Sequence, residues 1–119
     1  MEHVLIYHNP VCSKSRGALE ILREHGADAE VIEYIKTPPG RATLERILSL
    51  LGGAPADLVR KDKRFAELGL RAQDYVTRDQ VVALLLAHPE LMERPVVIRD
   101  GRAVIARPSE RVRELLDES

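Results

Sequence analysis

The chain has 119 residues, a net charge of -1 and 31% charged side chains, proportions that fit one globular domain able to bury a core without disulfide staples. Balanced charge excludes the polybasic field that generic binding to nucleic acid or to an anionic membrane needs, so any anion site must be local. No apolar run approaches the roughly 20 residues of a membrane span, and Met1-Glu2-His3-Val4 lacks the basic and long apolar regions of a signal peptide, so a cytoplasmic protein is expected.

His3-Val4-Leu5-Ile6-Tyr7 predicts a short buried strand, ended by the turn formers Asn9 and Pro10. A helix follows from Ser13 to His25, with Ala18, Leu19, Ile21 and Leu22 near helical spacing and Gly26 placed for a C-terminal cap. Ala29 to Ile35 alternates as a second strand, and Thr37-Pro38-Pro39-Gly40 then breaks the chain. Together these form a βαβ unit of roughly thirty residues. Such a crossover implies a parallel strand pair and puts the first loop at the carboxyl edge, where ligands usually sit.

Leu44, Ile47, Leu48 and Leu51 give a helix over 41–51 one apolar face, closed by Gly52-Gly53. A short helix is expected at Ala56 to Lys61, another turn at Phe65 to Leu68, and a further helix from Thr77 to His88, opened by the capping-box pattern Thr77-Arg78-Asp79-Gln80. Each piece is too short to bury its apolar face alone, so this block reads as an insertion and not a second domain. Arg94 to Arg99 and Arg102 to Ala106 flank Asp100-Gly101, a strong hairpin signal, and a last helix is expected from Ser109 to Leu116.

Cys12 is the chain's single cysteine and stands where the first strand gives way to the first helix. A thiol in the first turn of a helix meets unpaired N–H groups and the positive end of the macrodipole, both of which favour thiolate. His8 and Arg16 add polarity of the right sign nearby. The alternative is a small cysteine packed as a hydrophobe. With one cysteine no disulfide can close within the chain, so redox chemistry would need another molecule's thiol. His3, His8, His25 and His88 show no ligand spacing, and no metal is expected.

The order βαβ, helices, ββα resembles the thioredoxin/glutaredoxin-like α/β fold: a mixed sheet with a helical insertion between the βαβ and ββα halves. It predicts a single domain over 1–119, with its core in 1–37 and 92–119 and the insertion in 38–91. In that fold a proline opens the third strand near the active cysteine. Pro95 occupies the place, so the resemblance implies a cis Arg94-Pro95 bond.

More specifically, His8-Asn9-Pro10-Val11-Cys12-Ser13-Lys14-Ser15-Arg16, Leu58-Val59-Arg60-Lys61, Glu93-Arg94-Pro95 and Ala106-Arg107-Pro108-Ser109-Glu110 together resemble the glutaredoxin-coupled arsenate reductase family. The match spans almost the whole chain and departs at Ser13-Lys14, where better-studied members carry Gly-Thr. It implies that Cys12 attacks arsenate or a similar oxyanion bound by Arg60, Arg94 and Arg107, with His8, Ser15, Arg16 and Pro95 in support. His8 and the helix N-terminus would depress the thiol pKa, and Ser15 would donate a hydrogen bond to the sulfur. No bound cofactor is implied; glutathione supplies electrons and glutaredoxin restores the thiol.

Chemistry gives the arginines independent interest, because guanidinium forks match the oxygens of a tetrahedral anion. Arg94 and Arg107 adjoin prolines, and Arg60 falls in the inserted block. Cys12-x3-Arg16 is too short for the Cys-x5-Arg loop of phosphatase-type arsenate reductases, and no nucleotide P-loop motif occurs. Two rivals stay open. One is a glutathione-dependent monothiol oxidoreductase acting on another substrate. The other is a redox-responsive regulator of the same fold, although Ser15 stands where its second cysteine would be.

Overall fold

In the computed structural model, which describes residues 3–116, strand β1 (His3–His8) occupies the middle of a sheet. The signal-peptide reading of Met1-Glu2 and the chain end at 117–119 lie outside the described residues. Helix α1 (Ser13–Glu24) leads from β1 to β2 (Asp28–Glu33), which runs parallel to β1 in a register from His3↔Asp28 to His8↔Glu33. Strand β3 (Val96–Arg99) pairs antiparallel with β1, and β4 (Arg102–Ile105) antiparallel with β3, giving the order β2-β1-β3-β4. This is the mixed α/β sheet that the sequence order implies.

Apolar periodicity explains which faces meet. Val4 and Ile6 of β1 are fully buried, as are Ala18 and Leu22 of α1, and all four join Val97 and Val104 in one core cluster. Their exclusion from water is the main force holding helix to sheet. Strand β2 is an edge strand and stops at Glu33, short of the expected Ile35, because Lys36 and Thr37 turn their N–H groups back onto the Glu33 carbonyl. The β3–β4 turn is as the Asp-Gly signal predicts: Asp100 and Gly101 have φ of 50° and 75°, the left-handed pair of a type I′ hairpin.

After β4 the expected helix begins as a 3-10 turn, Ser109–Val112, and becomes α5 (Arg113–Leu116). Here α1 lies against the 3-10 turn at close range. A Cβ added at Gly17 would stand 2.6 Å from Ser109 Oγ, which donates to the Lys14 carbonyl at 2.7 Å. Residues 1–37 and 94–119 form one compact unit and residues 38–93 another.

The 38–93 unit contains α2 (Arg41–Leu51), α3 (Lys63–Glu67) and α4 (Arg78–Ala87). Gly52 ends α2 at φ 72°, and α4 begins with the predicted capping box between Thr77 and Gln80. The expected helix from Ala56 to Lys61 does not form. Pro55–Leu58 makes a 3-10 turn, after which β-branched Val59 is extended in a bridge to Met92, flanked by Arg60 N–H to the Leu91 carbonyl and Glu93 N–H to the Leu58 carbonyl, both 2.7 Å. Long-range backbone pairing has overridden the local helical pattern. Among the described residues no helix is long and apolar enough to cross a membrane.

Candidate active site

The loop after β1 places a cysteine at the start of a helix. Asn9 fixes the turn twice: its side-chain oxygen accepts from Val11 N–H at 3.1 Å and its carbonyl accepts from Cys12 N–H at 3.0 Å. Cys12 is then the N-cap of α1, with extended φ and ψ of -92° and 122°, and its carbonyl accepts the first helical bond from Arg16 N–H. The side chain is partly exposed. Sulfur thus sits at the open end of a twelve-residue helix.

Two arginines from the far end of the chain reach the same place. Arg107 Nη1 lies 3.6 Å from Cys12 Sγ and donates to the Arg94 carbonyl at 3.1 Å, so one guanidinium links the thiol to the segment that enters β3. Arg94 also acts on the sulfur. Burial pushes the Cys12 thiol up, but the Ser15 and Lys14 backbone N–H groups and the Arg107 and Arg94 side chains outweigh it, leaving the pKa below its ordinary value. Arg94-Pro95 is cis, as the fold resemblance implies, and Arg107-Pro108 is cis as well. Pro95 is buried, with its carbonyl accepting from Ala106 N–H at 2.9 Å.

His8 and Ser15 are buried, with a 2.7 Å hydrogen bond between Ser15 Oγ and His8 Nδ1, and Ser15 Oγ accepts from Asn9 N–H at 2.9 Å. The Ser15 hydroxyl, expected at the sulfur, is therefore engaged with the strand end, and it is the Ser15 backbone N–H that favours the thiolate. Burial lowers the His8 pKa, with Glu33 opposing and Arg23 and Arg16 assisting, so the imidazole is neutral at pH 7 and lends the thiol no cationic charge. Its contribution is to hold the turn. Arg16 is exposed and lines a shallow groove with Pro10, Leu19 and Arg23.

Arg60 belongs to the 38–93 unit, where Nε binds Asp62 at 2.9 Å and Nη1 lies 3.4 Å from Glu93. Burial lowers its pKa, while the Asp62 and Glu93 carboxylates raise it by more. Nothing in the local sequence pattern predicted this pairing with two acids.

Sequence reasoning missed two residues near the thiol. Asn9 does more than form a turn, and its Asn-Pro context is the usual signal for such side-chain to backbone bonds. Tyr34, within the expected second strand, is fully buried beside Arg94 and Asn9, a placement set by strand register and invisible to local pattern.

A helix-capped thiol with lowered pKa and two guanidinium groups can hold a small oxyanion and attack it. Comparison with known proteins points the same way. Residues 7–115 match the ArsC family. An arsenate reductase of Neisseria meningitidis serogroup A is 42% identical over 118 residues, covering 98% of this chain and 100% of that protein, and the uncharacterized protein YfgD of Escherichia coli K12 is 41% identical over 97% and 98%. The solved structure of an arsenate reductase from Vibrio cholerae superposes with a TM-score of 0.87 at 37% identity, over 96% of this chain and 98% of that one. With a fold, a length and a sequence in common with these proteins, the chain belongs to the ArsC family.

Proposed function

We propose that the protein reduces arsenate to arsenite with glutathione as electron donor and glutaredoxin as the partner that restores its thiol. The observation that carries the reading is Arg107 Nη1 at 3.6 Å from Cys12 Sγ, in a chain 42% identical to an arsenate reductase. Arg94 and Arg107 bind the anion and offset its charge, which lets a thiolate approach it. Arg60 joins them in the proposal on the family resemblance.

Cys12 sulfur attacks arsenic, an As–O bond breaks, and the protonated oxygen leaves as water, giving a covalent thiol–arsenate adduct. The glutathione thiolate attacks the Cys12 sulfur; an S–S bond forms and the S–As electron pair passes to arsenic. Arsenite leaves with two more electrons than arsenate, and the two thiols are left as a mixed disulfide. Glutaredoxin exchanges with that disulfide and frees Cys12. A single cysteine fits this scheme, since every later thiol comes from outside, and a reducing cytoplasm is the compartment that supplies them.

Mass spectrometry of the intact protein after incubation with glutathione tests the reading. A mixed disulfide on Cys12 that accumulates only when arsenate is added is expected, and it should be lost in Cys12→Ser. Equal glutathionylation with and without arsenate contradicts it and favours a monothiol oxidoreductase of another substrate.

A further inference from the structure

Tyr34 lies one residue past the end of β2, where the two ladders flanking β1 run out. The parallel ladder ends at His8↔Glu33 and the antiparallel one at Tyr7↔Val96. Continued beyond their last pairs, they set Tyr34 level with Asn9 on one side and Arg94 level with Asn9 on the other. Tyrosine, asparagine and arginine thus share the carboxyl edge of β1, at the start of the loop that carries Cys12.

The phenol is an expensive choice there. Tyr34 is 0% exposed, and its buried hydroxyl has no partner at hydrogen-bond geometry. Phenylalanine would fill the same volume without desolvating a polar atom. Buried polar groups are nearly always paired, and an exception calls for an explanation.

Its electrical surroundings suggest one. Burial pushes the phenol pKa up; Arg94 and the Asn9 side chain pull it down, and the Cys12 thiolate pushes it up again, with a net rise. At neutral pH the hydroxyl therefore keeps its proton and is a donor. What it lacks is an acceptor, and Arg94, which acts on both the phenol and the thiol, is the group on which an anionic oxygen would be held.

We propose that Tyr34 is a hydrogen-bond donor of the oxyanion site, idle in the free protein and engaged when a tetrahedral anion is held at Arg94. This rests on the oxyanion reading of the site given above. In the bound state the hydroxyl donates to an anion oxygen, replacing an unpaired buried group with a charge-assisted bond. Affinity gained on binding is thereby traded against stability in the free protein.

Tyr34→Phe removes a single oxygen atom and tests this. Alkylation of Cys12 by iodoacetamide is followed with increasing arsenate, each variant normalised to its own rate without arsenate. The expected result is half-protection at roughly tenfold higher arsenate in Tyr34→Phe, the size of one hydrogen bond to a charged group, with a melting temperature equal to or above wild type. In an Arg94→Ala background the same substitution should shift half-protection by less than about twofold, since the bond needs the anion that Arg94 holds. Equal protection of Tyr34→Phe and wild type overturns the proposal while leaving the oxyanion reading intact. So does a melting temperature several degrees lower, which would make the hydroxyl a structural group. Failure of arsenate to protect wild-type Cys12 overturns both.

Discussion

Cys12 owes its character to neighbours that no single stretch of sequence contains. Two backbone N–H groups come from its own helix and two guanidinium groups from the far end of the chain. Because they favour thiolate, the rate of Cys12 alkylation should rise with a midpoint below the ordinary thiol value of 9.0. Arg107→Ala should move that midpoint upward, measurable from the alkylation rate between pH 5 and 10. An unmoved midpoint would mean that the helix end alone sets the thiol. His8 acts in the opposite direction on stability. Its folded pKa lies below 6.5, so the unfolded chain binds a proton more readily; the stability contribution is full above about pH 6.5 and is lost as pH falls through the folded value. Urea midpoints should therefore fall on acidification through this range, and more steeply in wild type than in His8→Gln. Burial explains why: Ser15 Oγ and His8 Nδ1 meet at 2.7 Å in a buried pair, where a cationic imidazole would lose most of its hydration.

At the scale of elements, α1 is held at its N-terminal end by the turn after β4. Gly17 allows the approach, with Ser109 Oγ 2.6 Å from where a Cβ would be. Gly17→Ala gains helix propensity but forces Ser109 aside and strains its bond to the Lys14 carbonyl, one residue from a group that acts on the sulfur. Overpacking of this kind costs about 1–3 kcal/mol, a loss that denaturant titration would detect. Adding Ser109→Ala should return part of it by vacating the space, and no recovery would place the strain elsewhere. These elements also show which parts of the fold were legible in the sequence. β1, α1, the capping box at Thr77 and the Asp100-Gly101 hairpin all follow from signals a few residues long. The helix expected from Ala56 to Lys61 failed because Val59 is claimed by Met92, a pairing that local periodicity cannot report. The same holds for the site. Cys12 at a helix start was readable, whereas the Ser15 and His8 pairing, the Arg60 acid partners and the placement of Tyr34 depend on contacts made only when the chain is folded.

For the molecule as a whole, the thiol, Arg94 and Arg107 belong to the unit of residues 1–37 and 94–119, built on the mixed sheet. That unit draws its pieces from both ends of the chain, so the distant sequence positions of Cys12 and Arg107 are the natural consequence of pairing β3 with β1. Residues 38–93 form their own unit and carry Arg60, already paired with Asp62 and Glu93. If Arg60 contributes to anion binding, Arg60→Ala should raise KM for arsenate more than it lowers kcat. The central claim is that Cys12 is the nucleophile of an arsenate reductase fed by glutathione. Its most direct test is NADPH oxidation in the presence of glutathione, glutathione reductase and glutaredoxin, recorded before and after arsenate is added. The account predicts arsenate-dependent oxidation by wild type that disappears in Cys12→Ser and falls at least tenfold in Arg107→Ala; a wild-type rate that arsenate leaves unchanged would contradict it.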